Sequence, residues 1–278
     1  MGQRDILKTV RGQRAVDGAG VRLVRVLGHP DVYDFDPFLM LDSFDSRDPQ
    51  DYIAGFPWHP HRGIETITYL VHGRIEHMDS LGNKGVISSG ESQWMTAGSG
   101  ILHQEMPQAS ERMLGIQLWL NLPRAQKMAN PAYLSILPED IPVVRIGNAD
   151  IRVLSGSLSG VSGVTPRHIP ASIFDISLPR DEALTLPVNP DETVFVFLME
   201  GGGLIGDELI PEKTAVLFGS GNEIALEATL DSDLRVLFFS GKALHEPIAW
   251  GGPIVMNTRK ELDTAFDELQ RGTFIKTV

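Results

Sequence analysis

An all-β fold, a sandwich or barrel finished by one C-terminal helix, is predicted from three observations. Glycine (28) and proline (18) interrupt the 278 residues at short intervals. Between them lie brief runs rich in Val, Ile, Leu, Phe and Tyr, the signature of strands bounded by turns. Helical periodicity is nearly confined to the last thirty or so residues.

The strand runs are Val21–Leu27, Glu65–Val71, Arg74–Met78, Leu114–Leu120, Ile151–Leu154, Ser172–Leu178, Thr193–Met199, Thr214–Phe218 and Leu234–Ser240. Turn formers separate them: Gly73, Gly82-Asn83, Gly201-Gly202-Gly203 and Gly219-Ser220-Gly221. A second helix or loop is expected over Pro123–Tyr133, bridging two domains. Pro138-Glu139-Asp140-Ile141-Pro142 reads as a stiff polar linker. At roughly 150 residues per domain the length suits two domains, divided here as 1–137 and 138–278. The helix is predicted over Thr258 to Leu269. Thr258 can cap it, with Glu261 three residues on completing a capping box. Leu262, Phe266 and Leu269 share one face, and Gly272 stands where a helix stops.

Composition narrows the function. Cysteine is absent, which excludes thiolate nucleophiles, disulfides, iron–sulfur clusters and thiol zinc sites. Metal ligands are then limited to His, Asp, Glu, backbone oxygen and water. A chain this long buries a core without needing a metal to fold, so any metal ligands serve chemistry or recognition. The formal charge of −12, from 24 Lys+Arg against 36 Asp+Glu, disfavours direct binding of nucleic acid. The polar N-terminus lacks the apolar run of a signal peptide, and no segment approaches a transmembrane span. A cytoplasmic protein is expected.

The chemistry lies in two segments. Gly55-Phe-Pro-Trp-His59-Pro-His61-Arg-Gly-Ile-Glu65 and Gly98-Ser-Gly-Ile-Leu-His103-Gln-Glu105-Met-Pro107 each carry two ligand types at i, i+2. On a strand such residues point to one face. Two pairs on neighbouring strands can therefore converge inside a barrel. Three neutral imidazoles and a carboxylate suit one divalent ion, Fe(II) first and Mn, Ni, Cu or Zn besides. Glu65 competes with Glu105 as the carboxylate. His72 and His77 flank the turn at Gly73 and read as solvated hairpin residues. His29, His168 and His245 read as surface or packing residues. Gly201-Gly-Gly203-Leu-Ile-Gly206 matches a dinucleotide fingerprint, but no helix comes after it, so a Gly-rich hairpin is expected. Ser99 lacks the frame of a nucleophile elbow and reads as a turn residue.

Four segments together resemble the pirin family of the cupin superfamily: Asp36–Asp42, Gly55–Thr66, Gln93–Pro107 and Trp250–Thr258. The resemblance implies two consecutive cupin barrels. It implies a metal held in the N-terminal barrel by His59, His61, His103 and Glu105, and a C-terminal barrel without metal. Residues 138–278 agree in having no His-x-His or His-x-Glu pair. It further implies one of two activities. Several pirin-like proteins resemble quercetinases, which cleave flavonols with dioxygen and release carbon monoxide. On that reading Glu105 is ligand and general base, Phe56, Trp58 and Met106 wall an aromatic pocket, and Arg62 steadies a developing anion. Eukaryotic pirin instead resembles a redox-sensitive coregulator that binds transcription factors, and some bacterial relatives are thought to bind metabolic enzymes. That reading makes the chain a regulatory protein whose partner is another protein.

Overall fold

The computed structural model describes residues 2–276. It forms two compact bodies. One gathers Arg14–Arg25, Phe38–Leu137 and the chain from Leu244 onward; the other gathers the chain up to Gln13, Val26–Pro37 and Pro138–Ala243. Each body thus draws on both ends of the sequence, and neither is a contiguous half. Hydrogen bonding explains this. The first strand of the chain, β1 (Ile6–Arg11), pairs along Thr214–Phe218, deep in the second half. The helix, expected at the end of the second domain, groups with the first body.

The first body holds most of β2 (Gln13–Asp17) and β3 (Val21–Leu27). It continues with β4 (Phe38–Ser46), β5 (Phe56–His61), β6 (Ile64–His72), β7 (Arg74–Asp79), β8 (Lys84–Ser88), β9 (Ser92–Thr96), β10 (Ile101–Pro107), β11 (Met113–Asn121) and β12 (Ala132–Ile136). A seven-stranded sheet runs β12-β9-β6-β11-β4-β3-β2, and a four-stranded sheet runs β5-β10-β7-β8. Both sheets contribute to one apolar cluster: Val21, Leu23, Phe44, Leu70 and Met113 from the larger, Ile75 and Ile87 from the smaller. Strands β4–β12 pair antiparallel, and inward and outward side chains alternate along a strand.

The second body repeats this plan. Its seven-stranded sheet orders β1, Thr214–Phe218, Thr193–Glu200, Leu234–Gly241, Ser172–Leu178, Ala149–Ser155 and Val143–Ile146. Its four-stranded sheet orders Ala183–Pro187, Glu223–Ala228, Gly203–Ile205 and Glu208–Ile210. Val, Ile, Leu and Phe fill its interior, with Phe174 and Phe238 stacked at 5.0 Å. The Gly201–Gly206 segment lies in the expected hairpin, Gly203–Ile205 against Glu208–Ile210.

Of the two readings of Pro123–Tyr133, the loop holds and the helix does not. The segment makes a single 3-10 turn at Arg124–Gln126 and then enters β12, which pairs with β9. Proline at 123 and 131 brackets a stretch too short for a stable helix, and an open sheet edge captures Ala132–Ile136 beyond it. The helix α1 spans Arg259–Gln270, capped as predicted. Thr258 Oγ1 accepts from the Glu261 amide at 3.2 Å, and Glu261 Oε2 accepts from the Thr258 amide at 2.8 Å. Its apolar face packs Leu262 and Ala265 on Ile254, Met256 and Phe274.

Arg62 ties this C-terminal segment to the strands. Its guanidinium is buried, donating to Ser99 O at 2.7 Å and Phe274 O at 2.9 Å and pairing with Glu268 at 2.7 Å. It also lies over the Phe274 ring at 4.1 Å. Replacing Arg62 strands the buried Ser99 and Phe274 carbonyls that it serves, whereas Glu268 keeps Lys276 at 2.8 Å, so the loss is about 2 kcal/mol. Arg62→Met is therefore expected to destabilise by about that amount and to make α1 the first site of proteolysis. Urea denaturation and limited proteolysis check this, and an unchanged midpoint would contradict it.

Candidate metal centre

Strand register brings the two sequence pairs together. β10 runs antiparallel to β5, with His103 opposite His59 and Ile101 opposite His61. Along β10, Ile101, His103, Glu105 and Pro107 are buried and the residues between them are partly exposed. The ligand nitrogens of His59, His61 and His103 lie within 4.8 Å of one another. The His59 and His103 ring centroids are 4.3 Å apart, and those of His61 and His103 are 5.0 Å apart. His61 and His103 are buried, while His59 reaches solvent in part.

Each ring is held by its surroundings. His59 Nδ1 lies 2.8 Å from Pro57 O, and His61 Nδ1 lies 3.0 Å from Pro253 O. Only an N–H can serve a carbonyl, so in both rings Nε2 keeps its lone pair. His61 also meets the Trp119 ring edge-on at 4.9 Å. Both nitrogens of buried His103 lack a hydrogen-bond partner, which is costly unless something else engages them. Burial, reinforced by His59, pushes the His61 imidazole down to about 3. Burial and the neighbouring histidines hold His103 well below the usual range. Both are neutral near pH 7, the form that binds a metal.

Glu105 is buried on the same face of β10. One cross-strand row of the opposite sheet receives it: Gln117, Thr68 and Gln93 sit side by side on β11, β6 and β9. Glu105 Oε1 accepts from Gln93 Nε2 at 2.5 Å and Thr68 Oγ1 at 3.1 Å, and Oε2 accepts from Gln117 Nε2 at 2.6 Å. Its carboxylate falls within 4.8 Å of His77 and His103, but does not group with His59 and His61. Glu65 is placed elsewhere, accepting from Thr96 Oγ1 at 2.7 Å.

Of the residues expected to line a pocket, Phe56 stands opposite Glu105 across β5 and β10, and the other three do not share the ligand face. Trp58, Arg62 and Met106 each neighbour a ligand in sequence, and alternation turns them the other way. Trp58 is 49% exposed. Arg62 is spent on Glu268 and Phe274. Met106 Sδ lies beside Gly55, and Phe56 packs edge-on against Phe44 at 6.2 Å. Residues to which the sequence assigned no role stand in their place: Trp119, Gln93, Gln117, Thr68 and His77. His77 is buried rather than solvated, stacked on Tyr133 at 4.6 Å. His77-x-Asp79 repeats the i, i+2 spacing of the other pairs, and that was its available signal.

The pirin profile matches residues 20–120, and the profile of the pirin C-terminal cupin domain matches residues 173–275. The chain belongs to the pirin family. A pirin-like protein of Caulobacter vibrioides is 44% identical over 275 residues, 98% of this pirin-family chain and 99% of its own length. A Pseudomonas aeruginosa relative, provisionally named a quercetin 2,3-dioxygenase, is 41% identical with 97% of each chain covered. The crystal structure of quercetin 2,3-dioxygenase from Acinetobacter baumannii superposes with a TM-score of 0.90 at 31% identity, covering 98% of this chain and 99% of that one. Bacterial pirin YhhW from Escherichia coli, in complex with nickel(II), shares the fold at a TM-score of 0.64 and 24% identity, covering 85% and 98%. The fold is thus two cupin domains. Among the described residues no helix is long and apolar enough to cross a membrane.

The depressed His61 value has a thermodynamic consequence for the metal-free protein. Unfolded, this imidazole takes up a proton as pH falls through about 6.5; folded, it does so only near 3. Between those limits the unfolded state binds more protons, so stability rises with pH. The contribution is present in full above about 6.5 and lost as pH falls toward 3. His61→Gln is expected to flatten the pH dependence of the urea midpoint in that window; parallel profiles for the two proteins would contradict it.

Proposed function

We propose that this chain binds one divalent metal ion through His59, His61 and His103 with Glu105 as the associated carboxylate, and opens flavonol-like substrates with dioxygen. The observation that carries the reading is the convergence of three imidazoles whose ligand nitrogens lie within 4.8 Å of one another. The unpartnered nitrogens of His103 and the pre-oriented Nε2 atoms of His59 and His61 fit a divalent ion. Fe(II) is the expected ion, and the same donors accept Mn, Ni, Cu or Zn. Likeness to the Acinetobacter quercetin 2,3-dioxygenase supports the substrate class.

When bound, a divalent ion supplies Lewis acidity that makes a coordinated hydroxyl easier to deprotonate. The protein supplies the rest. Glu105 accepts the flavonol 3-hydroxyl proton at a carboxylate oxygen. Gln93 and Gln117 hold that carboxylate in place through their amide N–H groups, so little reorganisation accompanies proton transfer. Trp119, against His61, offers an aromatic face. The buried flanks of the cluster exclude water, and entry is from the partly exposed side of His59.

A second reading, a metal-responsive binding protein without turnover, is favoured by the same enclosure, since three of the four donors are buried.

Freshly purified protein is expected to carry near-stoichiometric metal by elemental analysis and to consume oxygen when given quercetin. His61→Ala is expected to lose both while remaining folded by circular dichroism. Metal without turnover supports the second reading, and full activity in His61→Ala would overturn the metal centre. Glu105→Gln removes the proton acceptor. It is expected to lower the turnover rate by about 10²–10⁴-fold with the fold intact, as measured by oxygen uptake.

A further inference from the structure

Three adjacent strands of the small sheet each present an i, i+2 pair to the barrel interior. His59 and His61 come from β5, His103 and Glu105 from β10, and His77 and Asp79 from β7. On β7 and β10, His77 stands opposite Glu105 and Asp79 opposite His103. Directly opposed residues share a face, with Cβ atoms about 5 Å apart. All four of these side chains are buried.

His77 has the environment of a metal ligand. Its Nε2 faces Asp79 Oδ2 at 3.4 Å, while Nδ1 is buried without a partner. A carboxylate at one ring nitrogen fixes the proton there and leaves the other with its lone pair. Asp79 is itself fixed, accepting from the Leu81 and Asn83 amides at 2.9 and 3.0 Å and from Asn83 Nδ2 at 2.8 Å. Tyr133 stacks on the ring and holds its plane. The Glu105 carboxylate nearby has only neutral donors around it.

We infer that the barrel contains a second three-donor metal station, formed by His77, His103 and Glu105 and overlapping the first at His103 and Glu105. The ligand atoms of these three lie within 4.8 Å of one another. Two imidazoles and one carboxylate suit a divalent transition ion such as Fe(II) or Co(II). Because His103 is common to both stations, one ion occupies one or the other. The inference shares two residues with the proposed metal centre but stands on His77.

The test uses Co(II) alone as probe, on the full chain. A His59→Gln/His61→Gln double variant dismantles the first station only. Circular dichroism and thermal melting establish that it is folded. The expected result is one equivalent of Co(II) bound more weakly than in wild type, with a visible absorption band of its own. Adding His77→Gln removes that binding. Adding Asp79→Asn instead weakens it about 10–100-fold. A folded double variant that takes up no cobalt, or whose uptake survives His77→Gln, overturns the second station and leaves the first intact. Wild type that binds no cobalt overturns both.

Discussion

A buried carboxylate with only neutral partners is the constraint around which the first body is built. Glu105 lies inside a β-barrel, and an uncompensated charge there is costly. Three neutral donors, Gln93, Gln117 and Thr68, meet it from one row across three strands. Their amide and hydroxyl dipoles offset part of the desolvation. On the proposed reading, a divalent ion shared with the neighbouring imidazoles would offset the rest. Orphaned imidazole nitrogens at His103 point to the same solution.

The opposite side of the cluster is set by the chain's C-terminal segment. Pro253 O fixes the His61 ring. Gly63 lies two residues beyond it with φ of +78°, and a Cβ there would meet Val255 O at 2.0 Å, so only glycine fits the crossing. Lys127 seals this junction from inside, donating to Gly63 O, Asn121 Oδ1 and Val255 O at 2.8, 2.5 and 2.9 Å. Arg62 does the same toward Glu268 and Phe274. Two buried basic side chains thus hold, through backbone carbonyls, the segment that carries His59 and His61.

Period-two and period-3.6 patterns carried most of the fold. Val21–Leu27, Ser172–Leu178 and Thr214–Phe218 occupy strands with the bounds that their apolar runs predict. The Thr258–Glu261 capping box is local chemistry, and it forms as expected. That His59/His61 and His103/Glu105 each present two side chains at i, i+2 was legible for the same reason, since alternation along one strand needs no tertiary information. Neighbours of the ligands misled by that same rule, because Trp58, Arg62 and Met106 sit one residue off and face away. Gln93, Gln117 and Trp119 were illegible because they reach the site only through pairing of strands distant in sequence. His77 was misread because a hairpin position implies solvent, whereas β12 brings Tyr133 over it. The exchange of chain ends between the two bodies likewise depends on long-range pairing, of β1 with Thr214–Phe218, which no local pattern announces.

The central claim is that this cluster binds a divalent ion with His61 and His103 already neutral. Calorimetric titration of the metal-free chain with Co(II), repeated at pH 7 in buffers of different ionisation enthalpy, tests it most directly. The account predicts saturation at one ion per chain with little proton release, because His61 and His103 are held in the neutral form and need shed no second ring proton to offer a lone pair. Absence of binding heat, or release of about two protons per ion, would contradict it.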